Sequence, residues 1–289
     1  MKRGNQWVVA ALLTALALTA GGCATGMELI PVATIAAKGV TKAAAASRPI
    51  SDSEEYYVGR AVGARILAQQ SLRQDPELTR YVNEVGQAVA RKSARPQTFR
   101  GYHFAVLETS ETNALACPGG LIFITRGLLQ TCETEDELAA VLAHEVAHVA
   151  NKDGINSISQ ARWTEVLTAM GTEAAKQYGG VAGSLVSLFE GSIDDVFKTI
   201  VVNGYSRTAE EAADAAAVQT LKQAGYDPGA VASLLDKMMA KEKGASGGMF
   251  KTHPPTGERL SKVKALVGEA PAAGKEVAAR TSRFKKIKI

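Results

Sequence analysis

The stretch that decides the fold is "TEDELAAVLAHEVAHVANKD", residues 134–153. It reads as a helix. Thr134 is placed to cap its N-terminus, and Glu135, Asp136 and Glu137 put negative charge in the first turn, where the helix dipole favours it. Leu138, Val141, Leu142, Val146 and Val149 recur at helical spacing. The chain has only four histidines, yet two of them, His144 and His148, stand four apart in this helix, and Glu145 directly follows the first. Four residues along an α-helix advance about 40° in azimuth and one turn in height, so both imidazoles leave the same face.

Two neutral imidazoles on one face can hold a single zinc ion at about 2.0–2.1 Å. Glu145, rotated about 100° from His144, stands beside such an ion without ligating it. Zinc brings the pKa of a water to about 7 and polarises a carbonyl. A carboxylate in that position takes the proton from the water and delivers it to the leaving amine. The pattern therefore points to peptide-bond hydrolysis, with Glu145 as the catalytic base. The competing reading, an exposed helix with incidental histidines, fits the apolar flanks poorly. A hydrolytic zinc also needs a third protein ligand and an open position. Spacing alone leaves the third ligand open among His103, in a strand-like run, His253, in "THPP", and Glu210, in "SRTAEEAAD". Glu210 and Asp214 share a helix face, so one can ligate while the other holds a ligating imidazole by its far N–H.

"HEVAH" together with "YSRTAEEAAD" (205–214) resembles the zinc metallopeptidase family of the CAAX prenyl proteases and HtpX, of the gluzincin type, and within it the BepA-like periplasmic branch. The family's second motif, S-R-x-x-E-x-x-A-D, is matched by Ser206, Arg207, Glu210, Ala213 and Asp214. "NALACPGGLIFITRGLL" (113–129) and "THPPTGER" (252–259) match further stretches, and the similarity runs over residues 52–265. The resemblance implies one Zn²⁺ per chain held by His144, His148 and Glu210, with Asp214 behind a ligating histidine; Glu211 is the alternative third ligand. It implies a zincin-like metallopeptidase, mainly α with a small β-sheet (α+β), in which the HExxH helix meets a second, Glu-bearing helix. It further implies protein or peptide substrates, in particular misfolded or stalled envelope proteins, and a partnership with outer-membrane assembly machinery. The chain departs from the family in two respects. It lacks multiple membrane spans, as the periplasmic branch does, and Cys117 stands where small apolar residues are usual.

Several residues carry more than one reading. "GGLIFIT" (119–125) is a strand; as an edge beside the cleft, Gly120, Leu121, Ile122 and Phe123 would pair with the main chain of an extended peptide. The alternative is a core strand paired on both sides, and the edge reading is preferred, partly by analogy with the family. His253 has three readings: donor to the oxyanion of the transition state, occupant of the open coordination position that holds the enzyme shut, or a loop histidine steadying the turn before Pro254. Arg259 pairs with Glu210, with Asp214 or with substrate, or is solvated. Cys117 and Cys132 either form a disulfide or remain two separate thiols.

The rest of the chain sets the surroundings. Its 289 residues, 46% apolar, suffice for one sizeable core. A net charge of +4 without a dense basic block gives no support for a nucleic-acid partner. Residues 1–22 have the layout of a signal peptide, and "TAGGC" resembles a bacterial lipobox, making Cys23 the lipidation site. A lipid anchor at Cys23 would tie the protein to the membrane, and Ala24 after it points to an outer-membrane lipoprotein facing the periplasm. Residues 23–50 are a tether, 51–270 the zinc metallopeptidase domain and 271–289 a basic C-terminal tail, read as a solvated end or, more weakly, an attraction to anionic lipid. Residues 155–200 are apolar and helical, but Glu190, Asp194, Asp195 and Lys198 argue against a membrane span and for a covering segment or flap. The chief rival function is a non-proteolytic periplasmic chaperone or scaffold with a closed structural zinc site, in which Glu145 would have no task. An amidase acting on peptidoglycan has no sequence mark of its own.

Overall fold

The computed structural model describes residues 49–158, 190–242, 252–254, 256–268 and 275–289, all within one unit, Lys42–Ile289. The expected signal peptide, the expected lipidation site Cys23, nearly all of the expected tether and most of the expected flap (159–189) lie outside the described residues.

Each helix starts where its sequence supplies a cap. Ser51 opens α1 (Asp52–Leu67) in a reciprocal capping box with Glu54. Asp75 caps α2 (Pro76–Ala90), whose first residue is a proline. Three strands follow: β1 (His103–Leu107), β2 (Ala114–Cys117) and β3 (Leu121–Thr125). A short turn, α3 (Arg126–Leu129), leads to the histidine helix α4 (Glu135–Ala150), capped by Thr134 through the Glu137 amide. After α5 (Asp153–Asn156) the described chain resumes with α6 (Glu190–Phe197) and a π-helical turn, Lys198–Asn203. Then come α7 (Arg207–Ala224), α8 (Gly229–Glu242), α9 (Gly257–Val267) and α10 (Lys275–Phe284). Ser206 caps α7 and Gly225, in the left-handed region, ends it. No helix among the described residues is long and apolar enough to cross a membrane.

Helix α4 is the axis of the domain. Every residue from Glu135 to Val149 is buried, so its surroundings are closed on all sides. Ala139, Ala140, Ala143 and Ala147 let neighbours approach closely, and α7, α2, α8 and α10 all pack on it. Leu138, Val141, Leu142 and Val146 join one core with α2 (Leu78, Val82, Val89) and α8 (Val231, Leu234, Met238). A second core gathers α1 (Val58, Val62, Ile66) with Leu115, Phe123 and Val196. The two cores lie on opposite faces of the sheet: Ile122 and Ile124 enter the first, Phe123 the second, as the period of two requires.

The sheet corrects one expectation. Its strand order is β1-β3-β2, with β3 parallel to β1 (His103 opposite Leu121) and antiparallel to β2 (Cys117 opposite Leu121). Strand β3 is therefore central. Gly120, Leu121, Ile122 and Phe123 have no free edge to offer a peptide, because β2 takes it. Strand β2 is only four residues long and alanine-rich, which is a weak strand signal. Gly119, at φ 74°, makes the tight return from β2 to β3; a Cβ there would lie 2.6 Å from the Tyr56 Cα.

The C-terminal segment corrects another. Residues 275–289 are not a solvated tail. Helix α10 inserts Phe284 into the first core, against Tyr81. Arg280 makes two hydrogen bonds to Asp136, at 2.8 and 3.0 Å, and Arg283 forks onto Glu135. The acidic first turn of α4 is thus neutralised from the far end of the chain, with Lys237 of α8 pairing Glu137 at 2.7 Å. Cys117 and Cys132 are both buried and are not bonded to each other, so the disulfide alternative falls.

Candidate metal centre

Helix α4 presents His144 and His148 from one face, and α7 crosses it with Glu210 in its first turn. One ring nitrogen from each of His144, His148 and His253 and one carboxylate oxygen of Glu210 lie within 4.8 Å of one another, and all four residues are buried. The Nε2 atoms of His144 and His148 are 3.1 Å apart. Glu210 Oε1 is 3.4 Å from His148 Nε2, and Glu210 Oε2 is 3.4 Å from His144 Nε2.

The opposite edges of the rings explain why this is a cation site. His144 Nδ1 faces Asp214 Oδ1 at 3.0 Å, and His148 Nδ1 faces Asp153 Oδ2 at 2.8 Å. A carboxylate only accepts, so each Nδ1 carries a hydrogen, and in the neutral ring each Nε2 then presents a lone pair. Two lone pairs at 3.1 Å with a carboxylate beside them repel unless a cation sits between. Donors on a tetrahedral ion with bonds of about 2.0–2.1 Å stand about 3.3 Å apart, which matches these spacings. The donor set fits a divalent metal.

Electrostatics agree. Burial disfavours the Glu210 carboxylate, yet His253, His144 and His148 outweigh it and hold its pKa well below the usual range. Burial likewise opposes protonation of His144, but the Asp214 and Glu210 carboxylates carry its pKa up to about 10. The pocket is built to hold positive charge. Arg259 supplies the supporting layer. It donates from Nε and Nη2 to Asp214 at 2.7 and 2.9 Å, lies 3.0 Å from Glu210 Oε2, and donates from Nη1 to the Pro254 carbonyl at 3.0 Å. Arg259 thus meets both carboxylates between which the sequence left it undecided.

Glu145 is placed differently. It is fully buried, and neither carboxylate oxygen has a hydrogen-bond partner. His253 Nε2 lies 3.8 Å from its Oε1. A buried carboxylate without a donor is costly unless water or substrate completes it.

His253 enters the cluster. Its Nδ1 is 2.8 Å from Glu210 Oε1 and 3.4 Å from His144 Nε2. The loop that carries it is tightly seated: a Cβ on Gly204, at φ 79°, would lie 2.3 Å from the Thr252 carbonyl oxygen. His103 is elsewhere, exposed on β1 with its Nε2 2.9 Å from the Arg100 carbonyl. Glu211 points away and pairs with Lys262 at 2.8 Å. Two contributors escaped sequence reasoning. Asp153 holds His148 because Lys152, at φ 59°, turns the chain back just past the helix end; the signal was an acid five residues after the second histidine. Tyr205 stacks on His148 with ring centroids 4.3 Å apart.

A mainly helical domain with a three-stranded sheet, two histidines one turn apart and a carboxylate from a crossing helix defines a zincin-like metallopeptidase. The chain belongs to peptidase family M48, whose family model matches residues 76–267. It is 29% identical over 268 residues to the beta-barrel assembly-enhancing protease of Yersinia pestis, covering 88% of this chain and 52% of that protein. It is 26% identical over 227 residues to the protein of that name from Escherichia coli K12, covering 75% and 44%. It is also 28% identical over 163 residues to the metalloprotease LoiP of Escherichia coli K12, covering 57% and 61%. The chain thus spans about half the length of the first two relatives.

Proposed function

We propose that this chain is a zinc-dependent endopeptidase of the cell envelope, held latent by His253. The observation that carries the reading is Glu145: a buried, unpartnered carboxylate beside a four-donor cluster has a task only where a water or a peptide arrives. His144, His148 and Glu210 would hold zinc, which in such a site acidifies water and polarises the scissile carbonyl. Glu145 takes the proton from the attacking water and passes it to the leaving amine. Asp214 and Asp153 keep the ligating imidazoles in the tautomer that leaves each Nε2 free. Asp214 is in turn held by Arg259. Strand β2 replaces β3 as the surface for an extended substrate; among the described residues no strand pairs with its outer side. Similarity to two proteins named for enhancing β-barrel assembly supports protein substrates of the outer-membrane assembly process. The signal peptide and lipidated Cys23 would place the enzyme on the periplasmic side of that membrane.

The test is casein digestion by the zinc-loaded chain, with and without a chelator, beside Glu145→Gln. We expect the chelator to stop hydrolysis. The variant should keep one zinc and lose about 10²–10⁴-fold in rate. A variant that binds zinc and still cuts at the normal rate would remove Glu145 from the base role. A permanently closed zinc scaffold is the second reading, favoured by the insertion of His253. It predicts no hydrolysis by any variant, His253→Ala included.

A further inference from the structure

Away from the metal centre, the surface carries a patch where aromatic and basic side chains meet. It begins in α1. Tyr56 and Arg60 are four residues apart and so leave the same face of the helix. Tyr57 packs against the second core, and the Tyr56 ring stands edge-on to it, with centroids 5.4 Å apart. Phe99, from the segment between α2 and β1, completes the group. Its ring centroid is 5.7 Å from that of Tyr56, and it is 45% exposed. The Arg100 guanidinium lies 5.3 Å from the Phe99 centroid. Exposed apolar surface rimmed by charge marks a place where something docks.

The segment that presents Phe99 is basic and firmly seated. Residues 91–101 hold Arg91, Lys92, Arg95 and Arg100 and no acid. Arg95 ties the segment to α1, donating to Glu55 and to Asp52 at 2.8 Å each. Lys152 adds a contact to Asp52 at 3.3 Å, so Asp52 and Glu55 at the start of α1 are already paired. Arg60, Arg91, Lys92 and Arg100 stay exposed and enter no ion pair among the described residues. Such a patch suits the boundary between lipid headgroups and acyl chains. There the rings bury their apolar bodies, the phenol oxygen stays wet, and arginine stems lie along the apolar surface while their heads reach phosphate. The rings pack on one another instead of standing apart to receive stacked bases, which argues against a nucleic acid. The location fits as well. Residues 24–48 are all that separates Cys23 from Pro49 and α1. An anchor at Cys23 would make docking of this end intramolecular, where a weak surface suffices.

We infer that Tyr56, Arg60, Phe99 and Arg100 form a docking surface for an anionic phospholipid bilayer, which lays the start of α1 and the 91–101 segment against the membrane. The inference stands apart from the metal chemistry and takes from the proposed function only the anchor at Cys23. Phosphate headgroups supply the negative charge that the four unpaired cations lack, and Phe99 supplies the apolar contact.

The experiment reads the surface and the anchor separately. The full chain is reconstituted with phosphatidylcholine vesicles, with and without phosphatidylglycerol, and backbone amide exchange is followed by mass spectrometry. Amides of residues 52–60 and 97–101 should exchange more slowly on the phosphatidylglycerol vesicles, by about fivefold for each cation engaged. High salt should restore the faster rate, because it screens the headgroup charge. Phe99→Ser combined with Arg100→Ser should remove the protection, while the amides of α4 and α10 exchange as before and show the fold intact. Equal exchange on the two kinds of vesicle, or protection that the double substitution leaves in place, overturns the inference. Protection by a single-stranded oligonucleotide and none by vesicles overturns it in favour of a nucleic-acid surface. A chain that washes off neutral vesicles yet keeps the phosphatidylglycerol-dependent protection upholds the surface and removes the anchor at Cys23.

Discussion

At the scale of single residues, the site divides into groups that hold charge and one that waits for it. Arg259 is the most exposed to substitution in its consequences. Its guanidinium makes two hydrogen bonds to Asp214, beside the single contact from His144, and both Arg259 and Asp214 are nearly fully buried. Arg259→Met would strand two carboxylates, and breaking a buried pair from one side costs about 3–5 kcal/mol. We expect a lower urea midpoint and weaker zinc retention, read by denaturation and by metal analysis after dialysis. His253 should behave oppositely. His253→Ala opens the fourth corner, and basal peptidase activity should rise, by about tenfold for a latch worth 1.4 kcal/mol. A fall in activity instead would return His253 to the oxyanion role.

At the scale of elements, α4 is gripped at both ends. Its first turn carries three buried acids that would repel one another, and α8 and α10 bring Lys237, Arg280 and Arg283 to them. Past its last turn, Lys152 is tied to Asp52 at 3.3 Å, and Arg95 joins Asp52 and Glu55 of α1 at 2.8 Å. Truncation before Lys275 should remove the α10 share of the N-terminal grip and leave Lys237 on Glu137. Re-exposing the Phe284 niche alone costs about 2–3 kcal/mol, so the melting temperature should drop by several degrees. Zinc stoichiometry should stay at one, because α10 contacts no proposed ligand. Loss of metal on truncation would show that α10 positions the site as well as the helix. That α10 belongs to the core was not legible beforehand. A basic run reads as solvated until the acids it meets, some 140 residues away, are known.

At the scale of the whole molecule, the buried carboxylates set the acid limit. Burial would raise the pKa of Asp214, but its hydrogen bonds to Arg259 and His144 prevail and lower it. A depressed folded pKa stabilises above the unfolded value of about 3.9, and the contribution is lost as pH falls through the folded value. The metal-free chain should therefore hold its urea midpoint at about pH 5–6, below the unfolded histidine value, and lose it below about pH 4. Arg259→Met should flatten that acid slope, which urea titrations at stepped pH would show. Zinc binding to the folded state alone should raise the midpoint further, and a chelator should reverse the gain.

The amino-acid order by itself determined what depends on local geometry. The one-turn spacing of His144 and His148, the flank that places Glu145, the caps at Thr134 and Ser206 and the shared face of Glu210 and Asp214 follow from 3.6 residues per turn and from side-chain hydrogen bonding within four residues. Tertiary structure decided what depends on contacts distant along the chain. Which strand is central, where the basic C-terminus goes, which acid steadies which histidine and where His253 stands are set by packing. Packing is decided by the joint burial of surfaces that no short window of sequence contains.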